Sequence, residues 1–327
     1  MSYLLRGVAA AGGVRVVAAD TTALIEDARV RHDTSPTATA ALGRTLTGAL
    51  LLSHVLLKNP QDRVTLRLRG DGALGGVIAD AGLDGAVRGY VTNPDATLPP
   101  RPDGKLNVGG ALGKGDLQVI RAHAPYGDPY SSSVDLVTGE IAEDITVFLA
   151  QSEQISSAVL LGVYIEPSGV VKSGGVILQA LPGADEGALA LLEANVRALG
   201  QLTDAMRRAT LLEIVEELCW GLGFELLTPD ALPLRFECRC SDEKALDALA
   251  YFSPEERERM IQDDGGAEVV CGWCGEARWL GPDALRGISE GEIRCPDCDT
   301  LWYRDGQATM VRDSERCACG RPVMLPA

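Results

Sequence analysis

The chain has 327 residues, 46% of them hydrophobic but only 5% aromatic, so its core must rely on Leu, Val, Ile and Ala. That length leaves room for about two domains at roughly 150 residues each. The formal charge of −16 opposes a nucleic-acid partner, because the phosphate backbone selects basic surfaces.

The first residues carry no pattern of a secretory leader, and the longest apolar stretch, Leu46 to Leu57, is interrupted by Thr47, Gly48, Ser53 and His54 and is too short for a bilayer. No membrane partner is expected, and the cytoplasm is the expected compartment.

In chain order, Val14–Ala19 reads as a strand and Ala23–Val30 as a short helix. Ser35-Pro36 then gives an N-cap followed by proline at the first helical position. Ala38, Ala41, Leu42, Leu46, Ala49, Leu50 and Leu52 recur at helical spacing up to Lys58, which predicts a mostly buried helix. The period then changes to two: Val64, Leu66 and Leu68 point one way while Arg63, Thr65, Arg67 and Arg69 point the other, and strands continue through Val91 in an antiparallel sheet. Leu106–Ile120 continues the strand pattern with glycine turns, Glu140–Leu149 reads as helix, and Val159–Ile165 and Val176–Leu181 read as strands. From Ala184 to Gly223 two helical runs meet near Gly200, with Leu211, Leu212, Ile214, Val215, Leu218 and Cys219 as an apolar stripe. Asp242–Ile261 is also helical in pattern, with Ser253-Pro254-Glu255-Glu256 opening its second run. The fold class is therefore α+β. Residues 1–178 are expected to form an α+β body with an antiparallel sheet and 179–234 a helical linker, followed by two small cysteine-bearing segments, 235–285 and 286–327.

The chemistry lies in the last ninety residues, where eight of the nine cysteines fall into two quartets. Cys238-x-Cys240 is followed after thirty residues by Cys271-x-x-Cys274; Cys295-x-x-Cys298 is followed after eighteen by Cys317-x-Cys319. Two sulfurs from one turn can approach one cation, and a pair from a distant segment completes a tetrahedron, which is the pattern of a four-thiolate zinc site. Permanent disulfides would need an oxidising compartment. The spacing also allows a cross-braced arrangement, with each metal drawing on both quartets, although one zinc per quartet is the expected arrangement. Thiolates held on zinc stay ionised and are therefore nucleophiles toward peroxide. Joined as disulfides they lose their anionic ligand character, and a small module that takes roughly 10–16 kcal/mol of folding free energy from its metal then unfolds.

Other motifs are weaker. The glycines from Gly109 to Gly115 do not make a P-loop, since Val108 and Gly115 stand where Gly and Ser or Thr are needed. His32, His54 and His123 are widely spaced and read as satisfied or exposed structural residues; Cys219 reads as a small buried hydrophobe. Trp220, Trp273, Trp279 and Trp302 read as packing around the zinc modules. Over residues 235–327, twelve Lys and Arg face nineteen Asp and Glu, which argues against a zinc ribbon that grips nucleic acid. The other rival is a thiol oxidoreductase using Cys271-x-x-Cys274, a dyad that normally leads a helix in a thioredoxin-like unit.

The stretches RHDTSPTATAALGR (Arg31 to Arg44), RGYVTNP (Arg88 to Pro94), SEQISSAVLLGV (Ser152 to Val163) and GGVILQALPGA (Gly174 to Ala184), together with the first quartet, resemble the 33-kilodalton heat-shock protein family of redox-regulated bacterial holdase chaperones. The resemblance runs over nearly all of residues 1–285. It implies one zinc on Cys238, Cys240, Cys271 and Cys274 in a quiescent reduced state. Under oxidation it implies disulfides Cys238–Cys240 and Cys271–Cys274, release of zinc and loss of order in the linker. It further implies a homodimer when oxidised, unfolding client proteins held without ATP, and their hand-over to an ATP-dependent refolding chaperone. There is no turnover chemistry in this scheme. Family members normally end soon after the first centre, so Cys295, Cys298, Cys317 and Cys319 are expected to form an additional zinc knuckle, either a second trigger or a stabilising cap.

Overall fold

A computed structural model describes residues 1–123, 129–227 and 231–288, together with the backbone of short strands at 293–294, 301–304 and 307–308. The chain folds as two units, Met1–Cys238 and Arg239–Ala327.

In the first unit the order is β1 (Tyr3–Ala9), β2 (Val14–Asp20), α1 (Thr22–His32), α2 (Pro36–Leu56), β3 (Arg63–Gly70), β4 (Gly76–Gly82), β5 (Ala86–Val91), α3 (Val108–Leu112), β6 (Gly115–Ala122), β7 (Tyr130–Asp135), α4 (Ala142–Gln151), β8 (Ser157–Glu166) and β9 (Gly169–Ala180). There follow α5 (Glu186–Leu199), α6 (Leu202–Arg208), α7 (Leu211–Leu218), β10 (Phe224–Leu226), β11 (Leu232–Pro233) and β12 (Arg235–Phe236). One sheet runs β10-β1-β2-β9-β8, with β11 also on β1; the other runs β12-β5-β4-β3-β6-β7. All pairings are antiparallel except β12 with β5.

Helix α2 is the pivot between the sheets. Ser35 Oγ accepts from the Ala38 N–H at 3.2 Å and Pro36 sits in the first turn, as the sequence predicts. Sixteen of its 21 residues are buried, because it packs on β3, β4 and β5 on one side and on β2, β8 and β9 on the other. Its small residues permit this. A Cβ at Gly43 would stand 2.8 Å from both Ile25 Cγ2 and Val163 Cγ2. Two buried hydroxyls are paired: Thr45 donates to the Ala41 carbonyl within the helix at 2.8 Å, and Thr47 shares a 2.8 Å hydrogen bond with Thr21, which lies outside it.

The period-two reading of β3 is met at Val64, Leu66 and Leu68, all at most 1% exposed. Arg63 departs from it. It is 9% exposed because Asp80 accepts from it at 2.8 Å and Asp84 lies 3.6 Å away. The expected strand from Leu106 instead contains α3, since Asn107 caps it by accepting from the Gly110 N–H at 3.0 Å; the strand begins at Gly115. Between Ala184 and Gly223 there are three helices rather than two runs. Gly200 (φ +72°) ends α5, and Thr210 opens α7 through a capping box in which Glu213 accepts from the Thr210 N–H at 2.7 Å. Leu192, Leu199, Leu202, Ala205, Met206, Leu211, Ile214, Val215 and Leu218 from these helices share one core with Leu5, Val14, Val16, Ala18, Val176 and Leu178 of the sheet.

The second unit contains α8 (Asp242–Leu249), α9 (Pro254–Asp264), β13 (Ala267–Val270), β14 (Ala277–Leu280) and α10 (Pro282–Arg286), then strands β15 (Ile293–Arg294), β16 (Leu301–Arg304) and β17 (Gln307–Ala308) in a three-stranded ladder. Its described core is small: Ala245, Leu249, Leu280 and Leu285 are buried. Among the described residues no helix is long and apolar enough to cross a membrane.

The expected satisfied role of the histidines fails at His54. Both ring nitrogens are buried without a hydrogen-bond partner among the described residues, and burial, aided by Arg6, lowers its pKa from 6.5 to about 4. The unfolded chain therefore takes up this proton first. The stabilisation is complete above pH 6.5 and is lost as pH falls toward 4, by about 3 kcal/mol. Urea unfolding at pH 7 and at pH 4.5 should show the wild type losing about 2–3 kcal/mol more than His54→Phe.

Candidate metal centre

Strands β13 and β14 pair from Ala267↔Leu280 to Val270↔Ala277, and the residues between them form a tight turn. The Cys271 N–H donates to the Glu276 carbonyl at 2.9 Å, while the Gly275 N–H donates back to the Cys271 carbonyl at 2.8 Å. Gly275, at φ +72°, supplies the left-handed backbone that lets the chain double back, a conformation that costs glycine little. The turn thereby aims the sulfurs of Cys271 and Cys274 to the same side. Cys238 and Cys240 lie in the extended segment before α8. There Ser241 caps the helix by accepting from the Lys244 N–H at 3.3 Å, fixing where the Cys-x-Cys segment ends.

The two halves converge. The sulfurs of Cys238, Cys240, Cys271 and Cys274 all lie within 4.8 Å of one another. Cys240 Sγ and Cys274 Sγ are 3.7 Å apart, far beyond the ~2.05 Å of a disulfide. The distance matches the edge of about 3.8 Å expected of a tetrahedron of sulfurs around a metal at about 2.3 Å. Cys274 is 2% exposed and the other three are half-buried, so the cluster is enclosed yet reachable by a small oxidant. Four soft sulfur donors and this spacing can hold a metal ion, and zinc fits them.

The surroundings of Cys240 are charged. Arg278, on β14, donates through Nη2 to Cys240 Sγ at 3.6 Å and to Glu276 Oε1 at 2.9 Å, and through Nη1 to Asp242 Oδ1 at 2.5 Å. The hydrogen bond to Cys240, then that to Asp242, pushes the arginine's already high pKa further up. No sequence pattern singled out Arg278, because its role depends on the hairpin register that faces it toward Cys240.

The second quartet, Cys295, Cys298, Cys317 and Cys319, lies outside the described residues. Cys219, as expected, is a buried apolar side chain, 2% exposed in the first unit, and burial pushes its thiol up to about 11. None of the three histidines joins the cysteine cluster. The packing role expected for the tryptophans fails at Trp220, which is 77% exposed in the first unit. Trp279 is 58% exposed; its ring lies over Gly266, where a Cβ would come within 2.8 Å, and lines a groove with Phe252 and Met260. Trp302 lies outside the described side chains. Lys114 belongs to no phosphate cradle, since its backbone N–H donates to Asp71 Oδ1 at 2.7 Å.

Compared with known proteins, residues 2–279 match the model of the family described as Hsp33 protein. The chain is 54% identical to a 33 kDa chaperonin of Thermus thermophilus over 337 aligned positions, covering 100% of this chain and 98% of that protein. It is 49% identical to the 33 kDa chaperonin of Deinococcus radiodurans, covering 89% of this chain and 99% of that protein. The crystal structure of the 33 kDa chaperonin (heat shock protein 33 homolog) of Thermotoga maritima superposes with a TM-score of 0.80 at 32% identity, over 88% of this chain and 97% of that one.

Proposed function

The chain belongs to the Hsp33 family, and from that premise we propose that it is a redox-regulated, ATP-independent holdase chaperone. The observation that carries this reading is the convergence of four cysteine sulfurs within 4.8 Å, on a module whose described buried core is one alanine and three leucines. Burial of a leucine contributes about 1.5–3 kcal/mol. A structural zinc contributes about 10–16 kcal/mol, so the metal dominates the module's folding free energy.

In the reduced state Cys238, Cys240, Cys271 and Cys274 hold one zinc, and the chaperone is quiescent. An oxidant takes the pairs Cys238–Cys240 and Cys271–Cys274 to disulfides. The sulfurs then lose the charge that held the metal, zinc leaves, and the 235–285 module unfolds. The 179–234 linker is the next element to lose order. Its longest helix, α5, buries only Leu192 and Leu199. Once its helices lift, their apolar stripes and the sheet face beneath them become exposed, and such surface is what an unfolded client binds. The oxidised chain acts as a homodimer, holds unfolding proteins in the cytoplasm and releases them to an ATP-dependent refolding chaperone. Cys295, Cys298, Cys317 and Cys319 hold a second zinc in the 286–327 knuckle.

A nucleic-acid zinc ribbon is disfavoured by the acidic balance of residues 235–327, twelve cations against nineteen anions. A thioredoxin-like oxidoreductase is disfavoured by the placement of Cys271 and Cys274 in a hairpin turn rather than at the start of a helix.

Light scattering of a thermally unfolding client should show suppression by the peroxide-treated chain and none by the reduced, zinc-loaded chain, with reductant plus zinc reversing the effect; equal suppression by both forms would defeat the switch. Metal analysis should find two zinc ions per reduced chain, and Cys274→Ser should lower the content by one. A reduced wild type holding one zinc would remove the second knuckle from the scheme.

A further inference from the structure

The two halves of the cysteine cluster come from segments far apart in sequence, and Arg278 spans them. It stands on β14, directly after the turn that carries Cys271 and Cys274, and its guanidinium reaches Cys240 Sγ at 3.6 Å in the other half. The fork is aimed by two carboxylates, Asp242 at 2.5 Å from the first turn of α8 and Glu276 at 2.9 Å from the turn itself. Both carboxylates are well exposed, 75% and 50%, whereas the Arg278 side chain is 22% exposed. Exposed ion pairs add little to stability, so the effect of these two is to orient the guanidinium.

We propose that Arg278 is a positioning residue of the metal centre, which holds Cys240 in its ligand geometry and restrains its sulfur as a nucleophile toward peroxide. It thereby sets the oxidant dose at which the centre opens. The inference rests on the zinc-thiolate reading above.

The chemistry supports it as follows. In the oxidation, a lone pair of the Cys240 thiolate attacks one peroxide oxygen, the O–O bond breaks, hydroxide leaves and a sulfenic acid forms. The Cys238 thiolate then attacks that sulfur, the S–S bond forms and a second hydroxide leaves. Two protons supplied by the buffer turn the two hydroxides into water, so peroxide is reduced by the two electrons that the sulfurs lose, and zinc departs as the divalent ion. A hydrogen bond donated to Cys240 Sγ occupies a sulfur lone pair and offsets its charge, and both effects slow the first step. Partners outside the ligand shell typically change metal affinity by about 10–100-fold when removed. Lysine cannot replace the fork, because an ammonium on a flexible stem cannot face Asp242, Glu276 and Cys240 in one fixed plane.

The test uses the full-length reduced chain loaded with zinc. A chromophoric chelator follows the phase of zinc release that Cys274→Ser abolishes, with and without peroxide, and competition with the same chelator gives zinc affinity. Arg278→Met should bind zinc about ten-fold more weakly and release it under peroxide about ten-fold faster, with Arg278→Lys in between. In a Cys240→Ser background the Arg278→Met change should add less than about two-fold, since the group it acts on is gone. Release and affinity unchanged in Arg278→Met would overturn the proposal while leaving the zinc switch intact. The same ten-fold loss in the Cys240→Ser background would also overturn it, showing that Arg278 merely stiffens the hairpin. A wild type that binds no zinc would overturn both the proposal and the switch.

Discussion

Four cysteine sulfurs within 4.8 Å of one another form the constraint on which the second unit depends. As thiolates they repel each other strongly at such distances, and residues 235–327 add an excess of seven acidic over basic side chains, nineteen against twelve. As thiols they would offer one another only weak hydrogen bonds. A divalent cation would resolve both difficulties at once, since it would remove the repulsion and supply bonds that the small core of Ala245, Leu249, Leu280 and Leu285 cannot replace. In the switch proposed above the same dependence gives reversibility: oxidation would take away the negative charge, the repulsion and the hold on the metal in one reaction, and reduction would restore all three.

The first unit is built on the opposite principle. Helix α2 lies between two sheets with sixteen of 21 residues buried, and the hydroxyls of Thr45 and Thr47 are paired with the Ala41 carbonyl and with Thr21, so it is held by packing within its own unit. Between these extremes stand α5, α6 and α7. They share a core with the sheet through Leu192, Met206 and Ile214, yet α5 buries only two of its 14 residues. Local opening follows such gradients of burial. With the metal-dependent module proposed above, a chain graded from a densely packed body through thinly buried helices would lose its order from one end while keeping a folded platform. Closely packed cores that resist partial change, as in α2, are what limit the spread.

Much of this was legible in the sequence, and where it was not, the physics explains why. The Ser35-Pro36 start of α2, the alternation of Val64, Leu66 and Leu68 and each of the two cysteine pairs of the first quartet are local patterns, set by backbone geometry over a few residues. Strand β1 escaped notice because Arg6 and Gly7 break its alternation. Gly7 is there for a tertiary reason: a Cβ would meet the Phe224 ring at 2.2 Å, from a strand more than two hundred residues away. Strand β7 is an edge strand whose run of Ser131, Ser132 and Ser133 carries no hydrophobic signal, and only Val134 in it is buried. In α3 a side-chain cap by Asn107 outweighed a strand-like composition. The charged partner of the metal centre, Arg278, was invisible for a different reason. An arginine in an acidic region is ordinary until the register of β13 and β14 turns it toward Cys240.

The segment beyond the first centre bears on how such a chain sets its sensitivity. The family match ends at residue 279, before Cys295, whereas the Thermus thermophilus relative aligns over the whole chain. The first quartet thus lies within the span that matches the family model, and the second lies beyond it. With the second knuckle proposed above, two thiolate centres would open in order of their susceptibility, and the threshold of the chain would be that of the more easily attacked one. Charge on the sulfur decides this, and it is set by the groups around each ligand rather than by the cysteine spacing, which the two quartets share in reverse order. A module with a hydrogen-bonded ligand at one centre can therefore be tuned without altering any cysteine, by changing a single cation and the two carboxylates that hold it.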